Sequence, residues 1–326
     1  MFEHTEQQGR SGCPETSVEA SLSAMFAVRS TVTVLIDDCI VILKHQNAFG
    51  FRYDAIITDP PYEIGLHGKA WDHTGISFTP MLWGLLFEIL KPGGFVAAFS
   101  SARLYHRLAI AAEDAGFMLY PFLSWTYANG LPKPTNVSEL FDRANLAERV
   151  IIGSRAGSGY TRANVSQGLQ NRRSIQFPMY ERHVSQEAKD WRGFYYGMTC
   201  FSPSAEPILL AQKPIDRTSM IENLRVWGTG ALNLGAMKHR YGAWPTTVLH
   251  HDRTRGSGHL AVKPVGLMED LCLLLCPPNG SILDPFAGTG TTGVAALQHG
   301  FNCTLIEREP LLEAVIKRRL RSAIPV

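Results

Sequence analysis

Short apolar runs alternate with stretches of helical spacing along most of this chain, and the alternation fails only in the middle. Thr31–Ile36, Tyr53–Thr58, Phe95–Phe99, Phe117–Trp125, Glu206–Lys213, Ser281–Leu283 and Asn302–Ile306 are brief, β-branched or aromatic-rich runs bounded by polar or turn residues, and they predict buried strands. Between them, residues 39–48, 80–90, 103–115 and 263–276, the segment ending at His299, and 310–321 carry apolar positions at helical intervals. Lys91-Pro92-Gly93-Gly94 predicts a stop after the second helix, and Gly116 after the third. Strand–helix alternation at this spacing predicts an α/β protein with a doubly wound, mostly parallel, Rossmann-like sheet.

The pattern lapses in two places. Residues 149–193 carry Arg149, Arg155, Arg162, Arg172, Arg173, Arg182, Lys189 and Arg192 against Glu181, Glu187 and Asp190, within Gly-, Ser-, Asn- and Gln-rich sequence. They predict a long loop or weakly structured insertion. Phe177, Tyr180, Trp191, Phe194, Tyr195 and Tyr196 are interleaved with these charges. Basic and aromatic side chains together suit phosphates and bases, and a solvated surface loop fits the same composition equally well. Residues 214–262 also read as irregular, and their histidines lack ligand spacing.

Composition narrows the class without choosing a function. A 326-residue chain, 45% hydrophobic and 18% charged, is ample for a large core, and a net charge of +2 decides nothing about a polyanionic partner. The cysteines at 13, 39, 200, 272, 276 and 303 form no CxxC pair and no zinc spacing, so reduced core thiols and no metal are expected. No stretch is long and apolar enough to span a membrane, and no signal peptide is evident. Residues 1–29 are polar and are expected to be partly disordered.

Two strand ends carry the candidate chemistry. Tyr53–Thr58 runs into Asp59-Pro60-Pro61-Tyr62. Two prolines force the chain out of the ladder in a stiff, extended form, which leaves a carboxylate, backbone carbonyls and an aromatic face at the carboxyl end of a strand. That cluster suits a planar group bearing an exocyclic amine. Asp-Pro-Pro also ends strands as an ordinary turn, so the tetrapeptide alone leaves turn and site open.

The second strand end is Asp284-Pro285-Phe286-Ala287-Gly288-Thr289-Gly290-Thr291-Thr292. Glycines admit close approach of a ligand, and the following helix N-terminus offers free N–H groups. No Walker lysine follows, and the full dinucleotide fingerprint is missing. Glu307 ends the next strand, where an acid accepts ribose hydroxyls, and Asp284 precedes the glycines, where a carboxylate suits an ammonium group. Carboxylate, ammonium and ribose together describe S-adenosylmethionine.

With both motifs in view, the chain resembles the amino-group (N6-adenine/N4-cytosine) DNA methyltransferases in their permuted β-type order, with the Asp-Pro-Pro-Tyr motif first and the glycine motif last. Asp37-Asp38-Cys39, Leu90–Gly94, Ala115–Phe117, Gly130–Lys133, Glu206-Pro207, Val262–Pro264 and Ile306–Glu309 extend the resemblance over most of its length. It departs at Gly258–Ala261, where the family often has His-Pro-Thr, and at Ser202–Ala205, where phage-like relatives often have Lys-Pro-Ala.

The resemblance implies a methyl transfer from S-adenosylmethionine to the N6 amine of an adenine flipped from double-stranded DNA, with cytosine N4 as the alternative base and a catalytically silent DNA-binding protein as the alternative class. It implies that Asp59 and the Pro60 carbonyl accept from the amine, that Pro61 belongs to the same catalytic motif and that Tyr62 stacks on the base. Asp38, Lys263, Asp284, Phe286, Gly288, Gly290, Thr291 and Glu307 are then the cofactor residues, and Trp125, Arg155, Arg162, Arg172 and Arg173 the DNA contacts. It also implies a division into a catalytic half (30–148), a target-recognition insertion (149–260, with a core strand near 206–213) and a cofactor half (261–326). A cytoplasmic setting in a bacterial or phage-infected cell is expected, and a homodimer is left open.

Overall fold

A computed structural model describes residues 30–64, 74–128, 132–145, 151–158, 174–180, 185–253 and 262–323. The chain packs as two compact units, one formed by the residues up to Tyr127 together with those from Ala205 onward, the other by Ala128–Ser204. The separately packed segment therefore begins and ends well before the 149–260 expected, because 205–253 is built into the larger unit.

The larger unit starts with β1 (Val32–Ile36) and α1 (Cys39–Ala48). Asp38 caps α1 by accepting from the Ile40 N–H at 2.8 Å, a contact of a kind worth about 1 kcal/mol. β2 (Tyr53–Thr58) is buried at all six positions, as expected of a strand covered on both faces. Thr79 caps α2 (Pro80–Ile89), whose first residue is a proline that has no N–H to leave unpaired.

β3 (Leu90–Phe99) takes in the Lys-Pro-Gly-Gly segment that predicted a break. The ladder with β2 shifts register between Tyr53↔Leu90 and Ala55↔Phe95, so the segment bulges. Gly93 there has φ +83°, and a Cβ would lie 2.6 Å from Asn223 Nδ2. The buried Asn223 amide donates to the Pro92 and Thr229 carbonyls at 2.9 and 2.7 Å. The breaker residues do interrupt the ladder, but a distant side chain pins them to the sheet.

After α3 (Tyr105–Asp114), the single strand predicted over 117–125 is two, β4 (Met118–Leu119) and β5 (Leu123–Thr126). In the smaller unit, β6 (Thr135–Asn136) leads into α4 (Val137–Ala144). The expected loop over 149–193 contains β7 (Ile151–Ser158) and β8 (Ser174–Tyr180), paired as an antiparallel ladder. α5 (Gln186–Asp190) and β9 (Tyr195–Tyr196) follow, and β9 pairs with β6. Phe141 stacks on Trp191, and the Trp191 carbonyl accepts from Ser138 Oγ at 2.8 Å. Phe194, Tyr195 and Tyr196 stay exposed.

The chain returns to the larger unit with β10 (Ala205–Gln212). The supposedly irregular 214–262 then supplies α6 (Met220–Trp227), α7 (Leu234–Tyr241) and β11 (Val248–His250). Ser219 and Asn233 cap the two helices, and Gly228 and Gly242 end them in the left-handed conformation. These helices are only two turns long, too short for their periodicity to stand out. α8 (Val265–Leu275), β12 (Ser281–Asp284), α9 (Thr291–Gln298), β13 (Asn302–Glu307) and α10 (Glu313–Ala323) complete the order.

The sheet runs β1-β13-β12-β2-β3-β10-β5-β11, with β4 also on β10. β10 alone runs against its neighbours, and all other pairings on this path are parallel. Successive residues of β2 feed opposite faces. Ala55 and Ile57 join a core with α8, α9 and α10, while Ile56 joins one with α1, α2 and α3. The sheet is thus doubly wound, as the alternation predicted. β2 connects onward to β3 on one side and β12 to β13 on the other, so the strand order reverses at the β12–β2 junction. In open α/β sheets the crevice beyond the carboxyl ends of such strands is where ligands bind. Among the described residues, no helix is long and apolar enough to cross a membrane, and no cluster of His, Cys, Asp and Glu has the makings of a metal site.

Candidate active site

Both motifs open at this junction. Ile56 pairs with Leu283 in the β2–β12 ladder, and Thr58 Oγ1 donates to Asp284 Oδ1 at 2.9 Å. On the β2 side the Pro61 carbonyl accepts from Ser77 Oγ at 2.6 Å, which holds the chain as it leaves the sheet. Pro60 is buried beside it. Glu63 follows at φ +56°, a conformation uncommon outside glycine.

Asp59 has two different oxygens. Oδ2 accepts from Lys263 Nζ at 2.6 Å, whereas Oδ1 is buried and has no hydrogen-bond partner. Lys263 Nζ also donates to the Tyr62 hydroxyl at 3.0 Å and lies 3.5 Å from Glu206 Oε2. The Tyr62 hydroxyl in turn donates to Glu206 Oε2 at 2.6 Å. Arg253 reaches Glu206 Oε1 at 3.0 Å and covers the Tyr127 ring, its guanidinium carbon 3.8 Å from the centroid.

The electrostatics follow from burial set against these pairings. Burial pushes the Asp59 carboxyl above its ordinary range, and the Lys263 ammonium only partly pulls it back. For Lys263, burial works against the charge, but Asp59 and Glu206 outweigh it and the ammonium is held above its usual value. Burial also opposes ionisation of Glu206, yet Lys263, Tyr62 and Arg253 bring it below the usual carboxylate range. Burial and then the charges of Asp59 and Glu206 raise Tyr62 well above an ordinary phenol. The cluster is an ammonium between two carboxylates, with a neutral tyrosine locked across it.

On the β12 side the loop is braced from behind. Asp284 is 3% exposed and accepts from Thr58, from the Phe286 N–H at 3.1 Å and from Thr292 Oγ1. Burial moves its carboxyl up to about 7. Its oxygens are met by internal donors, so Asp284 braces the loop from within. The Thr291 hydroxyl, expected at the cofactor, accepts from Arg319 at 3.0 Å, and the same guanidinium holds the Thr289 carbonyl at 2.9 Å.

Gly288 (φ +53°) has open space where a side chain would begin, and its N–H donates to Glu307 Oε2 at 2.8 Å. Gly290 (φ +79°) precedes α9, and a Cβ there would come within 2.9 Å of Ile316 Cγ2. Glu307 also accepts from the Glu309 N–H at 2.8 Å, and its carbonyl accepts from the Asp37 N–H at 3.1 Å. Phe286 packs partly buried on one face of the sheet. Asp38, Glu307, the glycine loop and Asp59 therefore follow one another along the carboxyl edges of β1, β13, β12 and β2.

Two expected residues lie at the Asp59 cluster. Lys263, placed by resemblance among the cofactor residues, has its ammonium on Asp59. Trp125, expected as a DNA contact, is 2% exposed, and its indole N–H donates to the His251 carbonyl at 2.8 Å. It is a core residue under the cluster, with Lys263 Nζ 5.7 Å from its ring centroid. Arg155 falls on β7, while Arg162, Arg172 and Arg173 lie outside the described residues. Glu206, Arg253, Tyr127, Thr58 and Arg319 had no site role from sequence. Glu206 stood out only as part of the Glu206-Pro207 match and as an acid at the head of the apolar run Ala205–Gln212, and its place in the cluster becomes legible only once β10 lies beside β3 and β5.

A doubly wound sheet with a reversed strand near one edge, a glycine loop at the switch point and a carboxylate cluster on the neighbouring strand end defines a class of ligand-binding α/β enzymes. Residues 53–318 match the DNA methylase model of the N6/N4 type, and the chain belongs to that family. It is 28% identical over 217 residues to the type II methyltransferase M.HindIII of Haemophilus influenzae, covering 64% of this chain and 57% of that protein. With M.BglI of Bacillus subtilis it shares 25% identity over 290 residues, 78% of this chain and 76% of the relative. Among solved structures, M1.HpyAVI superposes with a TM-score of 0.51 at 19% identity, over 89% of this chain and 98% of that one. The PvuII cytosine-N4-specific DNA methyltransferase gives 0.54 at 14% identity, over 89% and 86%. At these identities the structural likeness speaks for the fold.

Proposed function

We propose that this protein methylates the N6 amine of adenine in double-stranded DNA, with S-adenosylmethionine as methyl donor. The observation that carries the reading is the unpartnered, buried Oδ1 of Asp59, one strand away from the glycine loop. A buried acceptor without a donor is costly and calls for a ligand that brings one. An exocyclic amine does so.

The residues present fit the cofactor. Open space at Gly288, the Glu307 carboxylate beside it and the Phe286 ring offer close backbone approach, hydroxyl acceptors and an apolar face. When bound, S-adenosylmethionine supplies an electrophilic methyl group on a sulfonium sulfur. Asp59 Oδ1 accepts a hydrogen bond from the amine, orients its nitrogen and takes a proton as that nitrogen becomes positive. Burial, by raising the carboxyl, makes it the better base for the task. Tyr62, held by Glu206 and Lys263, is a fixed platform for an extruded base. The choice of adenine over cytosine rests on the resemblance, in which Asp at the first motif position goes with adenine and cytosine-N4 members more often carry Ser. An S-adenosylmethionine complex of M1.HpyAVI (TM-score 0.52, 19% identity) supports the choice of donor, and relatives named as type II methyltransferases support methyl transfer, without naming the base.

The test is to incubate the protein with unmethylated DNA and methyl-labelled cofactor, digest to nucleosides and identify the labelled one, with Asp59→Ala as control. Label in N6-methyldeoxyadenosine is expected. Label in N4-methyldeoxycytidine overturns the choice of base, and DNA binding without label overturns the enzyme.

A further inference from the structure

We propose that Lys263 is a positioning residue for methyl transfer, which turns Asp59 so that one carboxylate oxygen is fixed and the other is left for the target amine. The inference rests on the function proposed above. It assigns Lys263 a part in the chemistry of the amine rather than in holding the cofactor.

The geometry is one-sided. The Lys263 ammonium is 2.6 Å from Asp59 Oδ2, and Oδ1 is the oxygen without a partner. The ammonium is itself held from several directions. It donates to Tyr62, lies 3.5 Å from Glu206, and sits 4.9 Å from the Phe99 centroid and 5.1 Å from that of Tyr62. Side chains from β3, β10 and the β2 exit thus surround it, and Lys263 is 7% exposed just ahead of α8. A lysine so enclosed has little rotational freedom, so its hold on Oδ2 sets the plane of the Asp59 carboxylate. The charge has a second effect: opposite charge at this distance favours the ionised carboxylate, the form that accepts from an amine. The other ionisable groups facing Asp59 are Glu206, Tyr62 and Asp284, with Arg253 and Tyr127 behind Glu206. Among these, only Lys263 is a cation in contact with Asp59.

Two readouts separate positioning from mere support. The first is the Asp59 carboxyl titration in the cofactor-free full-length protein, followed by 13C NMR of labelled aspartate and assigned by its loss in Asp59→Asn. Lys263→Met is expected to raise its midpoint by about one pH unit or more. The second is the rate–pH profile of methylation at saturating cofactor. Lys263→Met should lower kcat about 100-fold and move the acid limb the same way, with cofactor affinity within about twofold of wild type. Lys263→Arg should recover part of the rate and most of the limb position.

If Lys263→Met fails to fold because it leaves two carboxylates facing each other, Lys263→Met/Glu206→Gln restores the charge balance and should still show the raised titration. An Asp59 midpoint unchanged in Lys263→Met, or in the double variant measured against Glu206→Gln alone, overturns the proposal, as does a loss of rate fully restored by added cofactor. A wild-type protein that methylates no base sinks the parent reading, while the titration still decides whether Lys263 governs Asp59.

Discussion

Thr58 Oγ1 donates to Asp284 Oδ1 across 226 positions of sequence, and this one bond ties the exit of β2 to the glycine loop. Asp59 follows Thr58 directly, and Phe286, whose N–H meets the same Asp284 oxygen, opens the loop. The spacing between the acceptor and the loop is therefore set in part by a hydroxyl. Thr58→Val keeps the shape and removes the donor. It should cost about 1–3 kcal/mol in urea unfolding and weaken cofactor binding, measured by calorimetry. Unaltered binding would show that the strand ladder alone sets the spacing.

Asp284 should leave a mark on the pH dependence of stability. Its folded carboxyl lies at about 7, above its unfolded value, so between the two the folded protein binds a proton that the unfolded chain does not. Stability should then fall as pH rises through this window and level off above about 7. Asp284→Asn should remove that slope. Urea midpoints of both proteins from pH 5 to 8 test it, and parallel curves would contradict the assignment.

The two loop glycines should fail differently. At Gly290, alanine brings both left-handed strain, about 1–2 kcal/mol, and overlap with Ile316, typically about 1–3 kcal/mol more. At Gly288 the strain is similar but the space is open. Gly290→Ala should therefore mainly lower the unfolding midpoint. Gly288→Ala should unfold closer to wild type while losing cofactor affinity, because its methyl group enters the open space where the proposed cofactor would approach. Denaturation and binding measured side by side distinguish them, and equal loss of both quantities in the two variants would refute the contrast.

Tyr62 has a ring and a hydroxyl with separable duties. Tyr62→Phe keeps the platform and removes the donor to Glu206, so methylation should fall modestly. Tyr62→Ala also removes the ring, and loss of base stacking at about 1–3 kcal/mol predicts a further drop of roughly 10- to 100-fold in kcat/KM. Equal defects in both variants would assign the role to the hydroxyl.

The strands and longer helices were legible because each repeats its apolar spacing within ten or so residues. Val265–Leu275 and Tyr53–Thr58 are clear cases. Met220–Trp227 and Leu234–Tyr241 were missed since two turns carry too little periodicity, and the Lys91–Gly94 breaker misled because Asn223, far along the chain, holds it to the sheet. Asp59, Tyr62, Gly288 and Glu307 stand out in the sequence by residue type and strand-end position, and the order of β13, β12 and β2 brings those ends side by side. The contact of Lys263 with Asp59 was not legible, since the two lie 204 positions apart.

What the sequence determined by itself is local: which segments pair or coil, where prolines and glycines force the chain out of a ladder, and which polar residues stand at those exits. The tertiary structure decided which exits meet. Only strand order sets β12 against β2, and only packing brings Lys263, Glu206 and Tyr62 around Asp59 and covers one of its oxygens but not the other. Charge, burial and an unmet acceptor depend on neighbours in space, and a linear pattern does not carry them.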